Sequence, residues 1–206
     1  MAQLPILAPY AVSLGTGALF TGIILGSYSL VNMTGNLLAG PVIDTYDRRF
    51  TIVAGLLTAG FAVAGYAAVT RPWQLLLVRL VHGAGGAVLI PAVFAWAGDR
   101  SRSGEVGRSM GYAGAAVAVA ATIGPALGGI GGARLGPERV FLFLGALLWT
   151  TALIVIVTGY REVFTGTRGG YPGTAAQPGP ALRPLTAVRE VLRHPVLAGS
   201  YRAVLG

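Results

Sequence analysis

The chain has 206 residues, of which 54% are hydrophobic and only 11% charged, against about a quarter charged in soluble domains. That composition cannot cover a globular surface with polar groups, so lipid takes the place of water over much of the chain. The net charge of +8 comes from arginine alone, and these arginines sit between apolar runs without forming a stripe, which excludes a nucleic-acid-binding face. Cysteine is absent, so disulfide frameworks and thiolate chemistry are excluded as well.

The first residues, L-P-I-L-A-P-Y-A-V, carry no charge and lack the basic start of a signal peptide. They have the character of a helix end followed by a short connector. The expectation is that a preceding span is missing; a genuine five-span protein is the alternative. Five apolar stretches follow, at 17–39, 50–69, 73–97, 110–131 and 139–158, each near the 20 residues that a helix needs to cross the hydrocarbon core. They do not alternate as barrel strands do, and a continuous helix satisfies its own backbone hydrogen bonds in lipid. The fold class is therefore an all-α membrane protein, a helical bundle of about five transmembrane helices.

Arg48, Arg49, Arg100, Arg102, Arg108, Arg161 and Arg168 fall on one side of such a bundle, and Arg71, Arg134 and Arg139 on the other. Seven against three places the first group in the cytoplasm, the N-terminus outside and the C-terminal tail inside. The first span carries a polar stripe, Ser27, Tyr28, Ser29, Asn32, Thr34 and Asn36, in which Asn32 and Asn36 stand one turn apart as candidates for lining a solute path.

The connector after it, G-P-V-I-D-T-Y-D-R-R at 40–49, packs four ionisable groups into six positions between runs that have none. Gly40 and Pro41 are expected to end the helix, with small Gly allowing close backbone approach. Asp44, Arg48 and Arg49 can trade partners between helix ends, because a carboxylate favours a positive helix N-terminus and Arg a negative C-terminus. Such a loop makes a conformational latch; setting topology alone is the plainer reading of the two arginines.

Arg79 is the one formal charge well inside a span. A charge at mid-membrane is costly, so Arg79 faces a polar interior or snorkels to the exterior interface. His82 shares its helix face, as a hydrogen-bonded packing residue or as a proton relay. In 110–131, Pro125 is expected to kink the helix, and Gly124 and Gly128 to form a small face for tight crossing, with Gly129 beside them.

From Gly159 onward the chain turns Gly- and Pro-rich. The domain reading is a helical bundle over 1–160, a cytoplasmic linker with a short amphipathic helix over 161–195, and the start of a further helix over 196–206.

Three of these stretches together resemble the major facilitator superfamily. Gly40, Asp44, Arg48 and Arg49 resemble its loop between the second and third helices, G-x-x-x-D-R/K-x-G-R-R/K. R-L-V-H-G-A-G-G-A at 79–87, with Gly83, resembles its fourth-helix motif, and I-G-P-A-L-G-G at 123–129 its fifth-helix motif, commonest in proton-coupled antiporters. Two positions depart from the pattern: Thr45 stands where a basic residue is usual, and Asp47 where Gly is usual.

The resemblance implies that the five spans are equivalent to helices 2–6 of an N-terminal half. It implies a multi-pass protein of the plasma or inner membrane that carries a small solute by efflux or exchange, with Arg79 in substrate or proton coupling. It also implies a second helical bundle, a proton as candidate coupling ion, no cofactor and no metal. No carboxylate lies within the five spans, so the usual proton carrier is not among them. Two rivals remain: a membrane enzyme of the phospholipid phosphotransferase type, suggested by Asp44 and Asp47, and a non-transporting scaffold or remnant. The first lacks the second acidic pair that such metal chemistry needs.

Overall fold

The structure, a computed structural model, describes residues 2–101 and 104–164, apart from the side chains at 41, 42, 44, 45 and 159–164. The expected further helix at 196–206, and the linker reading from 165 on, lie outside the described residues. In chain order the helices are α1 (Leu4–Ser13), α2 (Ala18–Thr45), α3 (Arg48–Gly65), α4 (Pro72–Asp99), α5 (Val106–Leu135) and α6 (Pro137–Phe164), with a 3₁₀ turn at Tyr66–Ala68. Helices α2 to α6 are long and apolar enough to cross a membrane, and no strand occurs among the described residues. The all-α membrane bundle read from the apolar runs is the observed fold.

Each junction has a local chemical cause. Asp47 caps α3: its side-chain oxygen accepts from the backbone N–H of Arg49 at 2.8 Å and of Phe50 at 3.3 Å. With φ at −55°, Asp47 fills no left-handed turn position, so its value lies in satisfying the orphan donors of the first helical turn. Replacing it with Ala should lower stability by about 1 kcal/mol. Thermal unfolding in detergent checks this, with Asp47→Asn, which keeps the acceptor, losing much less.

At the start of α4, Gln74 folds back so that its side-chain oxygen accepts from the N–H groups of Thr70 at 2.9 Å and Arg71 at 3.0 Å. Between α5 and α6, Gly136 takes φ 86° and Pro137 opens the next helix, a stop and a start in two residues. Helix α6 runs on to Phe164, which takes up the first four residues of the expected linker.

One expected boundary needs correcting. Helix α2 does not end at Gly40 and Pro41 but continues through both to Thr45. Proline removes one backbone donor, and a membrane helix tolerates that where neighbours compensate. A Cβ at Gly40 would meet nothing within 4 Å, so no close backbone approach depends on it.

Packing separates the helices sharply. Half of the α3 span is buried, but only 6% of α5. Between apolar helices in lipid, association rests on close van der Waals contact at small residues. Here α3 meets α4 at Gly55 and Gly85, where a Cβ on Gly55 would stand 3.2 Å from the Gly85 carbonyl oxygen. It meets α6 at Gly60 and Gly145, where a Cβ on Gly145 would stand 3.1 Å from the Gly60 carbonyl oxygen.

Two buried clusters mark the two ends of the bundle. At one end Leu7, Tyr10, Ile24, Tyr66, Leu75 and Phe141 pack together, and the Tyr10 hydroxyl donates to the carbonyls of Tyr66 and Val69 at 3.1 and 3.0 Å. At the other, Ala39, Ile43, Ile52, Leu56, Ala92 and Ala152 lie beneath the arginine-rich connectors. The α2–α3 turn and the end of α4 share this second end, because Arg48 forms an ion pair with Asp99.

Candidate functional site

Among the described residues, the interior of the bundle holds one buried cation. Arg79 lies seven residues into α4, about 10 Å along its axis, and is 2% exposed. Its guanidinium carbon sits 4.8 Å from the centre of the Tyr28 ring, a cation–π contact from α2. Nη2 donates to the Leu25 carbonyl over a long 3.4 Å, while Nε and Nη1 find no acceptor among the described residues. The side chain is therefore enclosed by protein and does not reach toward the bundle's rim.

Around it stands a ring of polar aromatics. His82, one turn along α4 and also buried, shares a 3.0 Å hydrogen bond between its Nδ1 and the Tyr66 hydroxyl. The Tyr28 ring meets the His82 ring edge-on at 5.0 Å. Helices α2 and α4 and the 3₁₀ turn after α3 thus each contribute to a single cluster: Arg79, His82, Tyr28 and Tyr66.

Glycine lets α2 come this close. A Cβ on Gly86 would lie 2.6 Å from the Tyr28 hydroxyl and 3.0 Å from Asn32 Nδ2, and one on Gly83 would lie 3.0 Å from the Tyr28 carbonyl oxygen. Gly83 thus lies in the α2–α4 seam, where it and Gly86 cradle α2. Asn36 donates from Nδ2 to Asn32 Oδ1 at 3.1 Å, with Asn36 exposed and Asn32 half-buried. A polar line therefore runs from exposed Asn36 through Asn32 and Tyr28 to buried Arg79.

The charged connector lies at the arginine-rich end. Arg48 pairs with Asp99, and its Nη1 also donates to the Ala95 carbonyl at 2.9 Å, so the start of α3 is tied to the last turn of α4. The Asp44 side chain lies outside the described residues, and Gly40 sits inside α2. Arg49 lies on the first turn of α3. The Arg100 guanidinium is lowered from its ordinary value, first by burial and then by the charge of Arg49. Arg100 also stacks over Trp96 with 4.8 Å between guanidinium carbon and ring centre.

Asp99 is a residue that the sequence pattern does not single out. Its one local mark is that it closes a 28-residue helix in a chain with few charges.

Helix α5 is continuous through Pro125, with Gly124 and Pro125 half-buried. Gly128 is its one buried residue among those described, and its open side faces the Ala2 carbonyl oxygen ahead of α1. Gly132 faces Ile6, where a Cβ would stand 3.1 Å from Cγ1, whereas a Cβ on Gly129 would meet nothing within 4 Å. On α5, Gly128 and Gly132 thus meet the chain at Ala2 and Ile6, Gly131 meets Val140 of α6, and Gly129 makes no such contact.

No group of three or more His, Cys, Asp or Glu residues that could hold a metal occurs among the described residues.

Comparison with known proteins places this geometry. An uncharacterised MFS-type transporter of Methanocaldococcus jannaschii is 31% identical over 150 residues, which is 73% of this chain and 39% of the relative. Multidrug resistance protein 2 of Bacillus subtilis is 28% identical over 66% of the chain and 33% of the relative. The quinolone resistance protein NorA of Staphylococcus aureus is 25% identical over 82% of the chain and 43% of the relative. The matched segment thus covers between 33% and 43% of the length of each of these relatives. The family model of the Major Facilitator Superfamily matches residues 1–206, and the chain belongs to that superfamily.

Proposed function

We propose that this chain is one helical bundle of a secondary active transporter that exports or exchanges a small solute by alternating access. The observation that carries the reading is the buried Arg79 at the end of the polar line from Asn36. An ionisable group deep in a membrane bundle is expensive and marks a solute or ion pathway. A bundle built only for stability has no use for it.

In alternating access, two bundles rock around a central site, and the connectors at one end hold one conformation and release in the other. We assign the latch role to Arg48, bound to both Asp99 and the Ala95 carbonyl, with Arg49 beside it on the first turn of α3 and Asp44 near the end of α2. Gly124, Pro125 and Gly128 are assigned to the bending and close packing of α5. Efflux is the favoured direction, because relatives named for multidrug and quinolone resistance share this part of the sequence. The transporter is non-enzymatic and sits in the plasma or inner membrane, with a proton as the candidate coupling ion.

The reading requires a second bundle to rock against. The 206 residues alone, reconstituted into proteoliposomes, should show no saturable, gradient-dependent flux, while a longer product that adds a second bundle should. Arg79→Ala in that longer product should cut flux at least about tenfold, the size of a lost charge-assisted interaction. Saturable flux through the short chain, or full activity of the Arg79→Ala variant, contradicts the proposal.

A further inference from the structure

We propose that the arginine-rich end of the bundle carries a binding site for the phosphodiester headgroup of an anionic phospholipid, formed by Arg49 of α3 and by Arg100 just after α4, with Trp96 beside it. The site lies apart from the polar line and goes beyond the transport reading. It rests only on the chain being embedded in a membrane.

Two like charges meet here. Arg49 stands on the first turn of α3, and Arg100 directly follows the last residue of α4. The ion pair of Arg48 with Asp99 brings these two helix ends together. The Arg100 guanidinium is pushed below its ordinary value, first by burial and then by the charge of Arg49. It is also laid over the Trp96 ring, with 4.8 Å between guanidinium carbon and ring centre. Of the nearby acids, Asp47 is taken up by the first N–H groups of α3 and Asp99 by Arg48. The two arginines have further interactions within the protein, so an added anion shares these groups and does not need them bare.

A phosphodiester is the anion that fits. A guanidinium fork matches its oxygens two at a time, and one phosphate between two arginines gives both a common partner of opposite charge. The position selects a lipid over a free anion. Both arginines stand where a span meets the headgroup layer, and the cytoplasmic leaflet is the one with a negative surface. Exposed rings stand on either side of Arg49 in the sequence: Tyr46 is 55% and Phe50 60% exposed, with ring centres 6.0 Å apart. Acyl chains cover such rings, whereas free phosphate leaves them bare. A lipid held across Arg49 and Arg100 clamps the two helix ends from outside, in parallel with the Arg48–Asp99 pair.

Native mass spectrometry of the 206-residue chain in detergent, titrated with phosphatidylglycerol or with phosphatidylcholine of the same acyl chains, reads the site. The first phosphatidylglycerol should bind at least about tenfold tighter than phosphatidylcholine. Each arginine near an anionic surface is worth about fivefold, so Arg49→Gln with Arg100→Gln should lose at least about tenfold in phosphatidylglycerol affinity with unchanged far-UV helicity. Arg134→Gln with Arg139→Gln removes the same charge from the other end and should change little. Arg49→Lys with Arg100→Lys keeps both charges without the planar forks and should fall between. If the Gln pair loses its helicity, the Lys pair decides: weaker binding with helicity kept supports the site, and unchanged affinity overturns it.

Equal affinity for the two lipids overturns the proposal, as does an equal loss in the Arg134 and Arg139 control, which would show attraction to net charge alone. Displacement of phosphatidylglycerol by inorganic phosphate at the same concentration would make this a free-anion site and also overturns it. In phosphatidylglycerol nanodiscs, amide exchange over residues 46–52 and 95–101 should run slower than in phosphatidylcholine, and the Gln pair should abolish the difference. Equal exchange in the two lipids overturns the clamp.

Discussion

Gly85→Leu is expected to break the seam between α3 and α4 and to lower the stability of the bundle by about 3 kcal/mol, the upper range for overpacking. The reason lies in what a side chain would strike. A Cβ at Gly85 would stand 2.9 Å from the Ala59 backbone nitrogen, 3.2 Å from Thr58 Cβ and 3.3 Å from the Gly55 carbonyl oxygen. Two of these three are backbone atoms of a helix that is itself pinned on its other side by Gly145. They cannot rotate away as a flexible side chain would, so the helices must part.

Where helix association depends on close contact at small residues, that separation removes dispersion contacts along the whole crossing. Gly114→Ala in α5 is the matched control, because a Cβ there meets nothing within 4 Å. Gly in a helix interior is about 0.8–1 kcal/mol worse than Ala, so this control should be neutral or mildly stabilising. Thermal unfolding followed by far-UV circular dichroism in detergent reads both. Equal effects of the two substitutions would show that the seam is not a close-packed contact.

Asp99→Asn is expected to loosen the start of α3 from the end of α4. Arg48 then keeps only its bond to the Ala95 carbonyl, and the charge that held it is gone. The paired side chains are 32% and 55% exposed, so the pair is screened and contributes on the order of 1 kcal/mol or less. That is small for stability and larger for a two-state latch, since about 1 kcal/mol shifts a population roughly fivefold. Amide hydrogen exchange over residues 46–52 and 95–101 should accelerate by that order in Asp99→Asn and in Arg48→Gln. The exchanged pair, Arg48→Asp with Asp99→Arg, should recover much of the protection. Unchanged exchange in both single variants would remove the latch from the account.

How far the sequence reveals this molecule depends on the range of the interaction. The five spans are legible because insertion in lipid is a local demand on about 20 consecutive residues, and the gaps between charged residues mark them. The shared helical face of Arg79 and His82 is legible for the same reason, being fixed by helix geometry alone.

Asp47 is harder, because one residue type serves both left-handed turns and helix caps; only the place where α3 starts chooses the cap. Gly40 and Pro41 mislead because the pair usually stops a helix in water, while in a bundle the helix persists. The partner of Arg48 is 51 residues away at Asp99, and Tyr28 and Tyr66 reach Arg79 and His82 from other elements. No pattern within one helix encodes such meetings. The glycines show the same limit. With 32 in the chain, periodicity cannot tell that Gly55, Gly60, Gly85 and Gly145 meet backbone while Gly129 meets nothing.

The membrane-embedded bundle with both arginine-rich connectors on the cytoplasmic face is the claim on which latch, path and buried site all depend. Because the chain has no cysteine, single cysteines at Tyr46, Gly104 and Thr70 can be labelled with a membrane-impermeant maleimide in intact cells and in inverted vesicles. Tyr46→Cys and Gly104→Cys should be labelled from the cytoplasmic side only, and Thr70→Cys from the outside only. Labelling of the Tyr46 and Gly104 positions from opposite faces would contradict it.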